Sequence, residues 1–223
     1  MQFPAPRLAE DSGLLAIGGD LSPQRLLLAY AQGIFPWYNA GEPILWWSPN
    51  TRCILLPREF HLSRSLHKFL KSGVCRVTID QSFAFVIRAC AISGDRHSKG
   101  TWISSEMIAA YEDLFKLGFC HSFEVWEGEV VVGGLYGVSI GRCFFGESMF
   151  HHRSNASKVA LYALSQTLFH HGFVMIDMQL PTPHLLSLGG CLVERGPFEA
   201  LLKEGLDMNE GEWRLFPEHV FVG

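Results

Sequence analysis

The stretch HSFEVWEGEVVVGGLYGVSIGRCFFGESMFHHRSNASKVALYALSQTLFHHGFVMIDMQ, residues 121–179, decides the fold. Three runs rich in β-branched and aromatic residues follow one another in it, over 121–126, 129–139 and 142–148, and the first two meet at Glu127-Gly128. A helix over about 155–170 comes next, then a strand over 173–179. Upstream, the pattern predicts helices over 104–117, with Ser104 or Ser105 as N-cap, and over 82–92, and a strand over 74–79. Downstream, a helix is expected near 183–188. Strand hairpins flanked by helices argue for an α+β sheet rather than a doubly wound parallel one.

Further toward the N-terminus the first ~60 residues are irregular and broken by Pro and Gly. Ser22-Pro23 opens a helix that Gly33 should stop, since Ser is a good N-cap and Pro fits the first helical position. A loop with Trp37, Tyr38, Trp46 and Trp47 follows, then a short apolar strand over 52–56. The clearest amphipathic helix spans about 61–71, with Leu62, Leu66, Phe69 and Leu70 on one face and Arg64, Lys68 and Lys71 on the other. Six Lys or Arg fall between Arg52 and Arg76 against one acid, Glu59, and a solvated helix face is the ordinary account of such a run.

With 223 residues, 48% hydrophobic and 18% charged, the chain can bury a substantial core. A formal net charge of −4 excludes a generally basic nucleic-acid binder but leaves room for a local basic patch. The six cysteines stand singly, and the histidines form no HExxH; the doublets His151-His152 and His170-His171 diverge on any regular element. Reduced thiols and no metal are therefore expected. The first residues lack a basic segment followed by an apolar run, and no apolar run approaches the ~18 residues of a membrane span. A cytoplasmic protein without membrane contact is the expectation, and a monomer, since no heptad seam is visible.

Three segments together resemble the bacterial leucyl/phenylalanyl-tRNA–protein transferase family. They are LLAIGGDLSPQRLLLAYAQGIFPWYNAGEPILWWSPNTR (14–52); GTWISSEM (100–107), leading through HSFEVW to VGGLYGVSIGRCFFGESMF and NASKVAL; and IDMQ (176–179) followed by SLGG (187–190). The resemblance implies a small N-terminal α/β domain over 1–60 and a catalytic domain with an acetyltransferase-like (GNAT superfamily) fold over 61–223. It implies transfer of Leu or Phe, less often Met, from aminoacyl-tRNA to proteins beginning with Arg or Lys, which marks them for N-degron proteolysis. An aminoacyl ester is already activated, so no cofactor is required.

Such chemistry must align amine and ester, give the proton a route and tolerate an oxyanion. Asp177 and Gln179, at i and i+2, would share one strand face. From spacing alone, a strand end whose polar groups cap the next loop is the plainer account; the family's Asp-x-Gln implies a proton relay to the acceptor amine, or a positioning role for the carboxylate. Glu147 stands among Phe144, Phe145, Met149 and Phe150 and needs a partner if buried. That partner is either an internal cation or the substrate's charged amine or basic side chain. By motif match the donor side chain would meet Trp102, Tyr111, Leu135, Phe144 and Met149, with Trp46 and Trp47 near the entrance. The resemblance gives Arg64, Lys68 and Lys71 the phosphates of a tRNA acceptor stem. Met178 stands where the family usually has Cys and, as the intervening strand residue, should face away from the site. An acyl-CoA-dependent acetyltransferase is the main rival, but MFHHRSNASK lacks the glycines of a pyrophosphate loop. A non-catalytic tRNA-binding module would not need the carboxylates, the amide and the aromatic pocket together.

Overall fold

A computed structural model describes residues 2–93, 103–214 and 216–220. The chain first forms β1 (Leu14–Ile17), α1 (Pro23–Ala31), β2 (Phe35–Pro36) and β3 (Leu45–Trp47). These strands make a three-stranded antiparallel sheet in the order β1-β3-β2. Gly33 stops α1 at a φ of +71°, where a Cβ would also lie 2.6 Å from the Phe198 ring, so any side chain there is excluded twice over.

The remaining strands are β4 (Thr51–Leu55), β5 (Arg76–Ile79), β6 (Cys120–Glu127), β7 (Val130–Ile140), β8 (Cys143–His151), β9 (Met175–Asp177) and β10 (Cys191–Glu194). They form a seven-stranded sheet in the order β10-β4-β9-β8-β7-β6-β5. Every pair is antiparallel except β8 with β9. The helices are α2 (Arg64–Lys71), α3 (Phe83–Ile92), α4 (Ser105–Lys116), α5 (Ala156–His170), α6 (Pro183–Ser187) and α7 (Arg195–Leu206). The mixed α+β class expected from the sequence is the observed one. β4 joins the large sheet, so the chain changes sheets between Trp47 and Thr51.

Apolar residues cover both faces of the large sheet. Val131, Tyr136, Val138 and Ile140 of β7 pack with α1, α3 and α4, while Val132 and Leu135 pack with α5. Two-sided burial explains why β6 to β8 read as long apolar runs. It also explains α5, whose Val159, Leu161, Leu164 and Leu168 leave no clean polar face. α2 starts three residues later than expected, because Ser63 Oγ accepts from Leu66 N at 3.2 Å and caps the helix there. β9 ends at Asp177, two residues before the expected strand end. β1, β2, β3, β10 and α7 were not legible as elements. Among the described residues no helix is long and apolar enough to cross a membrane.

Candidate active site

β8 and β9 run parallel from Cys143↔Met175 to Phe145↔Asp177, and there their pairing stops. Beyond that point the two chains separate. On the β8 side the ladder to β7 slips by one residue: Gly137 pairs with Gly146 and Tyr136 with Ser148, which leaves Glu147 as the extra residue. A bulge of this kind re-aims a side chain, and here it turns a carboxylate into the gap. The gap is a cleft of about 740 Å³, lined among others by Phe35, Trp37, Glu147, Met149, Met178 and Gln179, with His151, Ser157, Thr182 and His184 adding polar groups. It continues into an inner pouch of about 100 Å³ walled by Leu135, Leu161, Leu164, Ile176, Met149 and Met178. A mostly apolar recess with a few converging polar groups is the usual form of a small-molecule site.

Glu147 is held by two phenols. Tyr30 Oη of α1 donates to Oε1 at 2.6 Å, Tyr111 Oη of α4 donates to Oε2 at 3.0 Å, and the two hydroxyls lie 2.5 Å apart. Burial and the neighbouring carboxylate raise both phenols well above the ordinary tyrosine value, so they remain protonated donors. Three oxygen–oxygen contacts need three protons to close the ring. The phenols supply two, and the carboxyl supplies the third only when it is neutral. Burial raises Glu147 from 4.5 to about 7; the tyrosine hydrogen bonds oppose the rise, and the charge of Asp177 adds to it. Glu147 therefore changes charge near neutrality at the edge of a cavity. Among the described residues its hydrogen-bond partners are the two phenols, and no cation is paired with it.

Asp177, by contrast, has its partner inside the fold. Arg52 of β4 donates from Nε at 3.0 and 3.2 Å and from Nη2 at 2.9 Å, and both residues are almost completely buried. The guanidinium lies between the rings of Phe35 and Phe198, at 4.7 and 4.6 Å from their centroids. Oδ1 of Asp177 also accepts from Gln179 N at 2.9 Å. Gln179 adopts a left-handed conformation, φ +55°, so strand alternation ends between it and Asp177. The two residues do not share a strand face. Gln179 lines cleft and pouch, and its buried side-chain Nε2 has no hydrogen-bond partner among the described residues. The same break in alternation overturns the expectation for Met178, which lines both cavities instead of facing away.

The other expected residues divide as follows. Leu135 and Met149 face each other across the β7–β8 ladder and both wall the pouch. Tyr111 acts on the site through Glu147 rather than by lining it. Phe144 is fully buried and packs toward Phe216, away from the pouch lining. Trp46 lies in the core against Phe3, with its Nε1 donating to Gly18 O at 2.9 Å. Trp47 stands one layer behind the entrance: its Nε1 donates to Trp37 O at 2.6 Å, and Trp37 meets the cleft. Trp102 lies outside the described residues. Arg64, Lys68 and Lys71 are exposed on α2, and none of them lines the cleft. Sequence reasoning missed Tyr30, Arg52, Trp37, Leu161 and Leu164. A buried Arg at the head of an apolar strand was the one usable signal among these.

The profile described as "Leucyl/phenylalanyl-tRNA protein transferase" matches residues 54–203, and that of the same family's N-terminal domain matches residues 19–50. A leucyl/phenylalanyl-tRNA–protein transferase of Legionella pneumophila (strain Corby) is 52% identical over 96% of this chain and 96% of its own length. Its counterpart in Desulfatibacillum aliphaticivorans is 53% identical over 97% of this chain and 94% of its own. A solved GCN5-related N-acetyltransferase from Kribbella flavida aligns at 12% identity and a TM-score of 0.40 over 78% of this chain and 65% of that one, too loosely to bear on fold or function. The chain belongs to the leucyl/phenylalanyl-tRNA–protein transferase family, and its chemistry is the transfer of an aminoacyl group from tRNA to protein.

Proposed function

We propose that the cleft holds the aminoacyl end of leucyl- or phenylalanyl-tRNA, less often methionyl-tRNA, with the donor side chain in the inner pouch. The acceptor is a protein beginning with Arg or Lys. Its α-amine attacks the ester carbonyl carbon, a C–N bond forms, the ester C–O bond breaks, and the tRNA ribose oxygen leaves with a proton. The observation that carries this reading is the apolar pouch opening directly beneath Glu147 and Gln179. Unbranched-β donors fit such a recess, while β-branching would crowd its mouth.

Glu147, in its ionised form, contacts a cationic group of the substrate, either an amine or the acceptor's basic side chain. Gln179 offers its unpartnered amide to the reacting centre. Asp177 is a positioning residue, because Arg52 and the Gln179 backbone already occupy its oxygens. Its ion pair fixes the left-handed turn that presents Gln179. Leu135 and Met149 contact the donor side chain, Trp37 backed by Trp47 borders the entrance, and Trp102, by motif match, belongs with them. Arg64, Lys68 and Lys71 bind acceptor-stem phosphates as an exposed basic face.

The protein works in the cytoplasm as a monomer on an acetyltransferase-like scaffold, and its products enter N-degron proteolysis. The alternation of antiparallel β5 to β8 with the parallel β8–β9 pair supports the scaffold. The decisive test is transfer of radiolabelled Leu from leucyl-tRNA to a protein beginning with Arg, beside the same protein beginning with Ala. Labelling of the Arg protein alone is expected. Equal labelling of both removes the acceptor rule, and labelling of neither removes the reading.

A further inference from the structure

We propose that Met178 sets the balance between leucyl and phenylalanyl donors, as the movable wall between the inner pouch and the outer cleft. The inference rests on the donor reading above and adds to it the residue that decides how large a side chain enters.

The argument starts from size. A dry apolar cavity of ~150 Å³ holds benzene. The pouch is about 100 Å³, so it has room for a branched four-carbon side chain but not for a phenyl ring unless a wall moves. Most of its walls are fixed. Leu135, Leu161, Leu164 and Ile176 are buried in the layer between the sheet and α5, where β-branched and γ-branched side chains are locked by their neighbours. Met149 also borders pouch and cleft, but its backbone is fixed opposite Leu135 in the β7–β8 ladder.

Met178 differs from the aliphatic walls in chemistry, and from Met149 in standing past a strand's end rather than within a ladder. It lies just past the end of β9 and borders pouch and cleft alike, while only 7% of its surface is exposed. Its unbranched thioether has three soft torsions and fills irregular gaps. Its Cε rests against Gly190, where a Cβ would come within 2.8 Å, so the lack of a side chain at 190 provides the slot in which Met178 ends. A side chain of this kind can yield to a ring where a Leu or Ile cannot. Leucyl donors then enter the pouch as it stands, and phenylalanyl donors enter at the cost of displacing Met178.

The test is a competition. The full chain, wild type or variant, receives equal amounts of leucyl-tRNA and phenylalanyl-tRNA with one Arg-initiated acceptor, and mass spectrometry reads the ratio of the two products. That ratio is internal to each sample, so partial unfolding of a variant does not alter it. Met178→Ala should raise the Phe:Leu ratio ~10-fold, the scale on which an apolar pocket discriminates a carbon or two. Met178→Phe should lower it. Ratios within twofold of wild type in both variants, or a change in the opposite sense in either, overturn the proposal. Absence of both products from the wild-type protein instead removes the donor reading, and this inference falls with it.

Discussion

Two glutamates sit two strands apart in the same sheet, both taken out of bulk water, and they do different work. Glu124 of β6 is fully buried, and four donors surround its carboxylate. Thr78 Oγ1 and Ser122 Oγ lie at 2.5 Å each, Ser82 N at 3.2 Å and Gln81 N at 3.4 Å. Trp126 in turn donates to Thr78 Oγ1 at 2.7 Å. The carboxylate thus takes the capping role at the start of α3 that Ser82's own side chain leaves empty, where the helix dipole also favours a negative charge. Glu147 has two donors among the described residues, stands on a bulge and borders a cavity. Burial raises both carboxyls. Desolvation therefore does not distinguish them. The difference lies in their surroundings: four donors enclose Glu124, whereas Glu147 meets two phenols among the described residues and borders the cleft, where the proposed reading gives it a substrate cation.

The comparison is broken most directly by exchanging each carboxylate for a neutral group. Glu147→Gln keeps the shape and at least one tyrosine hydrogen bond but removes the charge, and it should lower kcat/KM for transfer ~10²-fold or more. Its melting temperature should stay level or rise, because a desolvated charge is lost. With Glu147 raised from 4.5 to about 7, the folded protein binds more protons than the unfolded chain across that interval. Stability should consequently fall as pH rises from about 4.5 to 7, and Glu147→Gln should flatten that slope. A variant that unfolds yet transfers normally per folded molecule would make Glu147 a second Glu124.

The converse exchange should give the converse result. Glu124→Ala strands two hydroxyls and two backbone amides at the start of α3, and chemical denaturation should register a loss of about 2–3 kcal/mol. Turnover per folded molecule should change less than threefold. A large fall in kcat with unchanged stability would place Glu124 in the reaction and dissolve the distinction.

Legibility follows the same division between local and assembled features. The long elements β6, β7, β8 and α3 to α5 were readable because period and capping agreed along many residues. β1, β2 and β3 have only two to four residues each, in composition that reads as loop, and exist because each finds a pairing partner. The cleft is an assembled feature of the second kind. Arg52 meets Asp177 across 125 positions of sequence, and Tyr30 meets Glu147 across 117, so no window contains either pair. Trp46, on β3, packs in the core against Phe3 near the N-terminus, a contact that no local window contains. Met178 was misplaced because the two-residue period was carried past Asp177, and a non-glycine residue at φ +55° leaves no mark in composition.

The finest test separates Glu147 from its two phenols. Both tyrosine hydrogen bonds lower the Glu147 pKa, against the larger rise from burial. Removing one donor by Tyr30→Phe leaves the carboxyl above its present value of about 7, so a higher pH is needed to ionise it. If the ionised form serves transfer, the acid limb of the kcat/KM profile moves to higher pH and activity at pH 7 falls several-fold, while the alkaline plateau returns toward wild type. The acceptor amine, with an ordinary pKa of about 7.7–8.0, titrates in the same range. Wild type and variant share one acceptor, so that contribution cancels in their ratio. Tyr111→Phe removes a longer bond, 3.0 against 2.6 Å, and should move the limb less. An unchanged profile in both variants would mean that the phenols hold Glu147 in place without setting its charge, and a rise in activity at pH 7, lost only at higher pH than in wild type, would mean that the neutral carboxyl is the working form.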